Sequence, residues 1–409
     1  MKRFLWLLLF TAPLAAAAGQ PFPAQEILRQ VAEGSVPLWG IRFEPDLLIV
    51  SPATKRMVVI RHLGSEISRD TTTLPPDIPA ANSVADYEGR RYVTLVGDWL
   101  GSDRQALLEL TAHESFHFYQ DRLGVEAVTS DNAHLDTPEG RAFLHLEFDA
   151  LRRALKGSRS GLKKALQIRW ERRRMFPDNN EAAFEKHEGS AQYTGLRIAI
   201  ADEQQLRREL RRALRYDLEK GYANSFAYAT GPAYASLLDR LAPDWRSCIA
   251  ETEDLSEVAA KAVEAPAASA TEIVSGRRYA RYLKAEQEAE DDPARYLGRL
   301  TPGADVLRIP NDGIGITFNP NDRMLPLADK AVLLRNVTLR GRWGTLTARQ
   351  GLVRMNDWSA FIAAAPRHTT GDKTTGDDYQ LVLLPGWDLR RTPTGWCIVP
   401  ATEDKTPRP

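Results

Sequence analysis

The pattern of apolar and polar residues divides the chain into regions with different periodicities. Between residues 38 and 96, short apolar runs alternate with turn residues, and the runs at 47–50, 57–60 and 92–96 predict strands of a small sheet. From residue 102 to about 241, apolar residues recur with helical spacing and predict helices at about 102–123, 138–156, 159–175, 180–200, 203–219 and 232–241. Ser102 is predicted to cap the first helix, and Gly124 follows its end.

The pattern changes twice more towards the C-terminus. Residues 251–300 are rich in alanine and glutamate and predict a helical connector. From residue 304 the helical spacing disappears and short apolar runs return, which predicts an all-β domain. The sequence therefore predicts an α+β fold, with a small N-terminal sheet, a mostly helical middle and a C-terminal all-β domain.

Residues 1–18 have the order of a secretory signal peptide. Lys2 and Arg3 precede an apolar run, and four alanines end at Ala18, after which we expect cleavage. The run is shorter than the roughly 18 apolar residues that a membrane helix needs, and no later stretch reaches that length. The mature chain is expected to be periplasmic or secreted, without a membrane span.

Net charge and cysteine content bear on the possible partners and metal sites. The 54 basic and 54 acidic residues cancel, so nothing in the net charge favours nucleic acid as a partner. Basic runs such as 172–174 are interpreted as solvated helix faces. The two cysteines, Cys248 and Cys397, can form a disulfide or remain free thiols, but they are too few for a cysteine-based structural zinc site.

The strongest chemical signal is His113-Glu114-Ser115-Phe116-His117. On a helix, His113 and His117 stand one turn apart on one face and can offer nitrogen to the same metal ion. Glu114 is one step round the helix, where a carboxylate can act as general base on a zinc-bound water without being a ligand. The spacing predicts a site for one Zn²⁺.

A catalytic zinc usually has three protein ligands, and two glutamates are candidates for the third. Glu188 lies in an apolar stripe of the helix predicted at 180–200, and Glu147 lies in a similar stripe of the helix predicted at 138–156. A buried carboxylate needs a partner, for which a metal cation is suited. The residues alone leave both candidates open.

The segment 187–193, His-Glu-Gly-Ser-Ala-Gln-Tyr, resembles the Asn-Glu-Gly-x-Ala-x-Tyr pattern around the third zinc ligand of gluzincin peptidases. The resemblance implies that His113, His117 and Glu188 bind zinc, and that Glu114 is the base. Where the pattern has asparagine, this chain has His187. Residues 80–245 are also similar to uncharacterised exported bacterial proteins with the same string of segments, which implies a zincin-like fold.

Two further residues are candidates for the donor that stabilises a developing oxyanion. Tyr228 lies in an aromatic, glycine-containing segment just before a predicted helix, and His187 adjoins the proposed ligand. By analogy with zincin-like folds, the strand at 92–96 is expected to be an edge strand that lines the cleft and pairs with an extended substrate.

Together these observations predict a signal peptide at 1–18, a metallopeptidase domain at 19–250, a helical connector at 251–303 and a β-rich domain at 304–409. The expected activity is zinc-dependent hydrolysis of a peptide bond in an exported or cell-envelope protein or peptide. The alternatives are a non-catalytic exported zinc protein with a β binding module, and a zinc amidase or esterase that acts on cell-wall material.

Overall fold

A computed structural model describes the chain from residue 22 onwards with short gaps. The described residues are 22–52, 54–63, 66–75, 77–79, 81–97, 100, 103–218, 220–265, 271–297, 305–318, 322, 325–326, 331–355, 357–376 and 378–401. The predicted signal peptide and Ser102 lie outside them. The structure has two compact units. The first runs to His134 and includes Ala142–Tyr216 and Ala223–Ala280, whereas the second contains Leu135–Arg141, Asp217–Tyr222 and the chain from Arg281. The predicted domain limits stay predictions.

A five-stranded sheet begins the first unit, after helix α1 (Ala24–Trp39). Its strands are β1 (Asp46–Ser51), β2 (Arg56–Leu63), β3 (Glu66–Thr73), β4 (Ser83–Tyr87) and β5 (Arg90–Val96). Strands β1, β2 and β5 confirm the three predicted runs. Because side chains alternate along a strand, β1 sends Leu47 to one apolar core and Leu48 to another.

The expectation that residues 92–96 form an edge strand is wrong. The sheet order is β3-β2-β1-β5-β4, so β5 lies between β1, with which it is parallel, and β4. A two-residue turn explains this arrangement, since Glu88 and Gly89 adopt positive φ angles of 48° and 74° and fold β4 back onto β5. The edge strand on this side is β4.

Helix α2 (Arg104–Tyr119) carries the His-Glu-x-x-His motif. Its N-cap is Asp103 rather than the predicted Ser102, because the Asp103 carboxylate accepts hydrogen bonds from the backbone N–H groups of Gln105 and Ala106 at 2.9 and 3.3 Å. A 3-10 turn extends α2, and Gly124, with a φ of 67°, ends it as predicted.

Further helices occupy most of the region predicted to be helical. They are α3 (Pro138–Ala154), α4 (Arg159–Met175), α5 (Glu181–Phe184), α6 (Ser190–Ala199), α7 (Glu203–Ala213), α8 (Ala227–Leu241), α9 (Leu255–Val263), α10 (Thr271–Val274) and α11 (Arg277–Leu297). Helix α7 ends at Ala213, earlier than predicted. In the non-helical segment that follows, backbone carbonyl groups bind the side chain of Arg141 instead of continuing the helix. The guanidinium donates to the backbone oxygens of Asp217, Leu218 and Lys220 at 3.2, 2.9 and 2.7 Å.

Two helices differ from their predictions in ways that matter for the site. Helix α8 starts at Ala227, before the predicted residue 232, so Pro232 lies inside the helix instead of at its beginning. The helix predicted at 180–200 is interrupted by a π turn, Glu185–Gly189, between α5 and α6. Single π turns inside helices are frequent at functional sites.

The second unit contains the predicted C-terminal β structure. Its strands form one sheet and are β6 (Val306–Pro310), β7 (Gly315–Thr317), β8 (Leu325–Pro326), β9 (Val332–Gly341), β10 (Gly344–Arg354), β11 (Ala360–Ala364), β12 (His368–Thr370), β13 (Lys373–Thr375), β14 (Tyr379–Leu383), β15 (Trp387–Thr392) and β16 (Gly395–Pro400). A separate apolar core supports it, including Leu307, Leu339 and Phe361.

Two further observations concern the cysteines and the helices. Cys248 is an exposed free thiol and Cys397 is a half-buried one, so no disulfide joins them in this structure. Among the helices of the described residues, none combines the length and the hydropathy that crossing a membrane requires.

Candidate metal centre

Three side chains meet beside helix α2. His113 and His117 lie one turn apart on α2, and Glu188 reaches them from the π turn. The Nε2 atoms of the two histidines are 3.2 Å apart, and Glu188 Oε2 lies 3.7 Å from His113 Nε2 and 3.4 Å from His117 Nε2. These three residues form a buried group that can bind a metal ion.

The spacing of the three ligand atoms matches a small tetrahedral ion. Zinc binds imidazole nitrogen and carboxylate oxygen at about 2.0–2.2 Å, so two of its ligands in a tetrahedron lie about 3.3 Å apart. The observed separations of 3.2, 3.4 and 3.7 Å are close to this value. The donor set of two nitrogens and one oxygen also suits zinc.

The protonation of the three side chains follows from burial and from mutual attraction. Burial alone would lower the pKa of the His117 imidazole, but the nearby Glu188 carboxylate outweighs this effect and raises the pKa to about 9. Burial would raise the pKa of Glu188, but His117 and His113 hold it well below its usual range. A proton on His117 therefore competes with a metal ion for this imidazole.

This proton makes metal binding depend on pH. Because the Glu188 carboxylate raises the pKa of His117 to about 9, a metal ion that binds this imidazole below that pH would displace one proton. We expect the apparent zinc affinity to rise about tenfold per pH unit from pH 6.5 to 9, with proton release during binding. Calorimetric titrations in buffers of different ionisation enthalpy measure both quantities. A pH-independent affinity without proton release would contradict this assignment.

Two glutamines orient the histidines. The Nδ1 atoms of His113 and His117 lie 3.2 Å from Gln192 Oε1 and 2.9 Å from Gln120 Oε1. The Gln192 amide in turn donates to Glu109 Oε1 at 2.7 Å, which aims its oxygen at His113. An imidazole that donates from Nδ1 keeps Nε2 available for a metal. The sequence reasoning missed all three of these supporting residues.

Removal of either orienting amide is expected to weaken metal binding while the ligands remain. We predict that Gln192→Ala and Gln120→Ala each raise the zinc dissociation constant about 10-fold to 100-fold, as is typical of groups that orient ligands. Competition with a chromogenic chelator measures this change. Gln105→Ala, in the first turn of the same helix, is the matched control. An unchanged affinity in both site variants would contradict the orienting role.

Glu114 is buried and has an environment suited to holding a proton. Only 4% of its surface is exposed. Burial raises the pKa of its carboxyl group, and the imidazoles of His113 and His117 oppose that rise. The charged groups that act on it are the three proposed metal ligands, His113, His117 and Glu188. The structure therefore places Glu114 in the same buried site as the histidine pair.

Tyr228 belongs to this site, although it lies inside α8 rather than before it. Its hydroxyl donates to Glu188 Oε2 at 2.6 Å, and its ring lies 5.8 Å from the His113 ring, nearly parallel to it. Burial, together with the charge of Glu188, raises the pKa of Tyr228 well above its usual value. The hydroxyl therefore stays protonated and acts as a donor.

His187 also borders the centre. Its ring is 4.7 Å from the His117 ring, and its Nδ1 atom is 3.5 Å from Glu188 Oε1. Burial lowers the pKa of His187 to about 4, with Glu188 opposing that shift. A neutral imidazole thus packs against the proposed ligands.

Glu147, the other candidate for third ligand, lies in a different cluster. Its two oxygens accept hydrogen bonds from Arg169 and Arg172 at 2.7 and 2.6 Å, and it also accepts one from Tyr234 at 2.9 Å. Both arginines are fully buried, so the interpretation of 172–174 as a solvated face is wrong for Arg172. The negative charge of Glu147 is balanced by two guanidinium groups rather than by a metal.

Comparison of this chain with family models, with curated proteins and with solved structures found no match. Among the described residues, no further histidine, cysteine, aspartate or glutamate joins the three-residue group. Three protein ligands leave a coordination position for water or substrate, whereas structural zinc sites usually have four.

Proposed function

We propose that this protein is an exported zinc-dependent hydrolase that cleaves peptide bonds. The observation that carries the proposal is the spacing of His113 Nε2, His117 Nε2 and Glu188 Oε2, each 3.2–3.7 Å from the others. A purely structural site has no use for a second, non-coordinating carboxylate, so the buried Glu114 favours catalysis over a structural role.

The residues have distinct roles in this proposal. His113, His117 and Glu188 would hold the zinc, which when bound acidifies water and polarises a carbonyl group. Glu114 would take a proton from the attacking water and return it to the leaving amine, because it is a buried carboxyl group next to His113 that is not among the three proposed ligands. Tyr228 is the proposed donor to the negative charge that develops on the carbonyl oxygen. For this its single hydroxyl proton would turn to that oxygen from Glu188, to which it donates at 2.6 Å.

The zincin-like fold is part of the same proposal. It is supported by the mixed sheet packed against α2, the helix that bears both histidines, and by a later helical segment that supplies the glutamate. Export rests on the signal-like order of residues 1–18. The expected substrate is an exported or cell-envelope protein or peptide.

The direct test of activity is digestion of a mixed peptide library by the zinc-loaded protein. We expect new peptide ends to form, a chelator to stop their formation, and added zinc to restore it. If no peptide is cleaved while zinc is fully bound, the peptidase proposal fails. Fragment release from purified cell wall under those conditions would instead favour the amidase alternative.

A further inference from the structure

We propose that Arg169 and Glu185 are positioning residues that hold the π turn in the shape that presents Glu188 to the metal. The inference rests on the proposed metal site and extends it to residues that touch neither metal nor substrate. It assigns this buried ion pair a role in metal binding in addition to its contribution to the stability of the core.

The first observation is the ion pair itself. Arg169 Nη1 lies 2.5 Å from Glu185 Oε2, and Nη2 lies 2.8 Å from Glu185 Oε1, which is a bidentate pair. Both residues are at most 1% exposed. Glu185 is the first residue of the π turn, three residues before Glu188. A rigid, planar contact is thus anchored at the start of the turn that bears the ligand.

Arg169 is itself held in place. Its Nε atom donates to Glu147 at 2.7 Å, and its guanidinium lies 4.3 Å from the centre of the Tyr234 ring. With donors engaged on two carboxylates and one face against an aromatic ring, the guanidinium has little freedom to turn. It therefore fixes Glu185 relative to α4 and α8.

Helix α8 fixes the other end of the turn. The backbones of Gly189 and Gly231 approach so closely that a Cβ atom on Gly231 would lie 2.4 Å from the Gly189 Cα atom. From this contact, α8 directs the Thr230 hydroxyl to Glu185 and the Tyr228 hydroxyl to Glu188. The turn is thus held at Glu185, Glu188 and Gly189.

The π turn explains why two nearby glutamates face different partners. In an α-helix each residue advances about 100°, so residues three apart lie on one face. The i→i+5 hydrogen bonds of a π turn place more residues in each turn, which separates their directions. Glu185 can then face Arg169 while Glu188 faces the histidines. A regular helix would bring both carboxylates towards the same surroundings.

The decisive experiment compares two arginines on the same helix. Arg169→Lys keeps the positive charge but loses the bidentate contact with Glu185. Arg172→Lys is the matched control, because Arg172 is equally buried and also contacts Glu147, but its bidentate partner is Glu181 instead of Glu185. We expect Arg169→Lys to raise the zinc dissociation constant about 10-fold to 100-fold, and Arg172→Lys to leave it close to the parent value.

Two further readouts separate positioning from stability. A core contact of general importance would lower the melting temperature of the metal-free protein in both variants alike, without affecting zinc affinity. In the positioning role, the visible absorption spectrum of the Co²⁺-loaded protein also changes in Arg169→Lys alone, because the geometry of the carboxylate ligand changes. Equal loss of zinc affinity in both variants, or an unchanged affinity in Arg169→Lys, overturns the inference.

A milder pair of variants decides the matter if the arginine variants do not fold. Thr230→Val removes a hydroxyl that binds Glu185, and Thr194→Val removes a buried hydroxyl that binds Trp39 and the Ser190 carbonyl. We expect Thr230→Val to lose about tenfold in zinc affinity and Thr194→Val to keep the parent affinity. Equal zinc affinities of the two variants overturn the inference.

The failure of the metal site and the failure of the positioning role give different results. If the parent protein binds no zinc, the metal-site proposal has failed. If the parent protein binds zinc but the paired variants do not differ in zinc affinity, the positioning role has failed.

Discussion

Glu114→Gln is expected to lower the turnover of peptide cleavage about 100-fold to 10,000-fold, the usual contribution of general acid–base catalysis. The amide has nearly the shape of the carboxylate but cannot accept and return the proton. Because Glu114 is not among the three residues grouped as metal ligands, the variant should keep its zinc content and its melting temperature. Turnover, metal content and thermal unfolding measured on one preparation separate these effects.

Glu171→Gln provides the matched control for this variant. Glu171 is also a buried glutamate in the first unit, but its partner is Arg174 and it lies outside the metal centre. We expect the control to retain turnover. Equal turnover in the parent protein and in Glu114→Gln would remove Glu114 from the role of base.

Glu188→Ala is expected to abolish stoichiometric zinc binding at micromolar concentrations. The substitution removes one of three ligands, so the affinity should fall by at least about 100-fold, more than the loss of an orienting group causes. It also removes the carboxylate that raises the pKa of His117. Zinc titration against a competing chelator measures the affinity.

Glu147→Gln tests the rival ligand. Because Glu147 balances two buried guanidinium groups, we expect this variant to lose about 3 kcal/mol of unfolding free energy. It should nevertheless bind one equivalent of zinc. If Glu147 were the ligand, the zinc content of the two variants would be reversed. Glu147→Gln would then lose the metal, and Glu188→Ala would keep it.

Strands β1, β2 and β5 and most helices between residues 104 and 241 follow from the sequence because their apolar residues repeat with a clear period, whereas β3 and β4 lack such a period and are not predicted. Helix α1 escaped prediction because Gly34 and Pro37, which usually mark turns, lie within it. Packing explains the glycine: a Cβ atom on Gly34 would lie 2.9 Å from the Ile198 side chain. The short hairpin at Glu88 and Gly89 likewise lacks a strong turn signal, which led to the wrong edge strand.

The histidine pair of the site was predictable, since spacing along one helix is enough to place His113 beside His117. The third ligand was not predictable from periodicity, because Glu147 and Glu188 both lie in apolar stripes. Their tertiary partners distinguish them, and the π turn that aims Glu188 has no signature in the apolar pattern. Gln120 and Gln192 were missed because a single glutamine carries no local signal of what it orients.

The measurement that tests the central claim most directly is elemental analysis of the purified protein after zinc supplementation and removal of free metal. The account predicts about one equivalent of zinc per chain, held by the centre that His113, His117 and Glu188 form. Protein that contains no bound metal after this treatment would contradict the metal site, and with it the hydrolase built upon it.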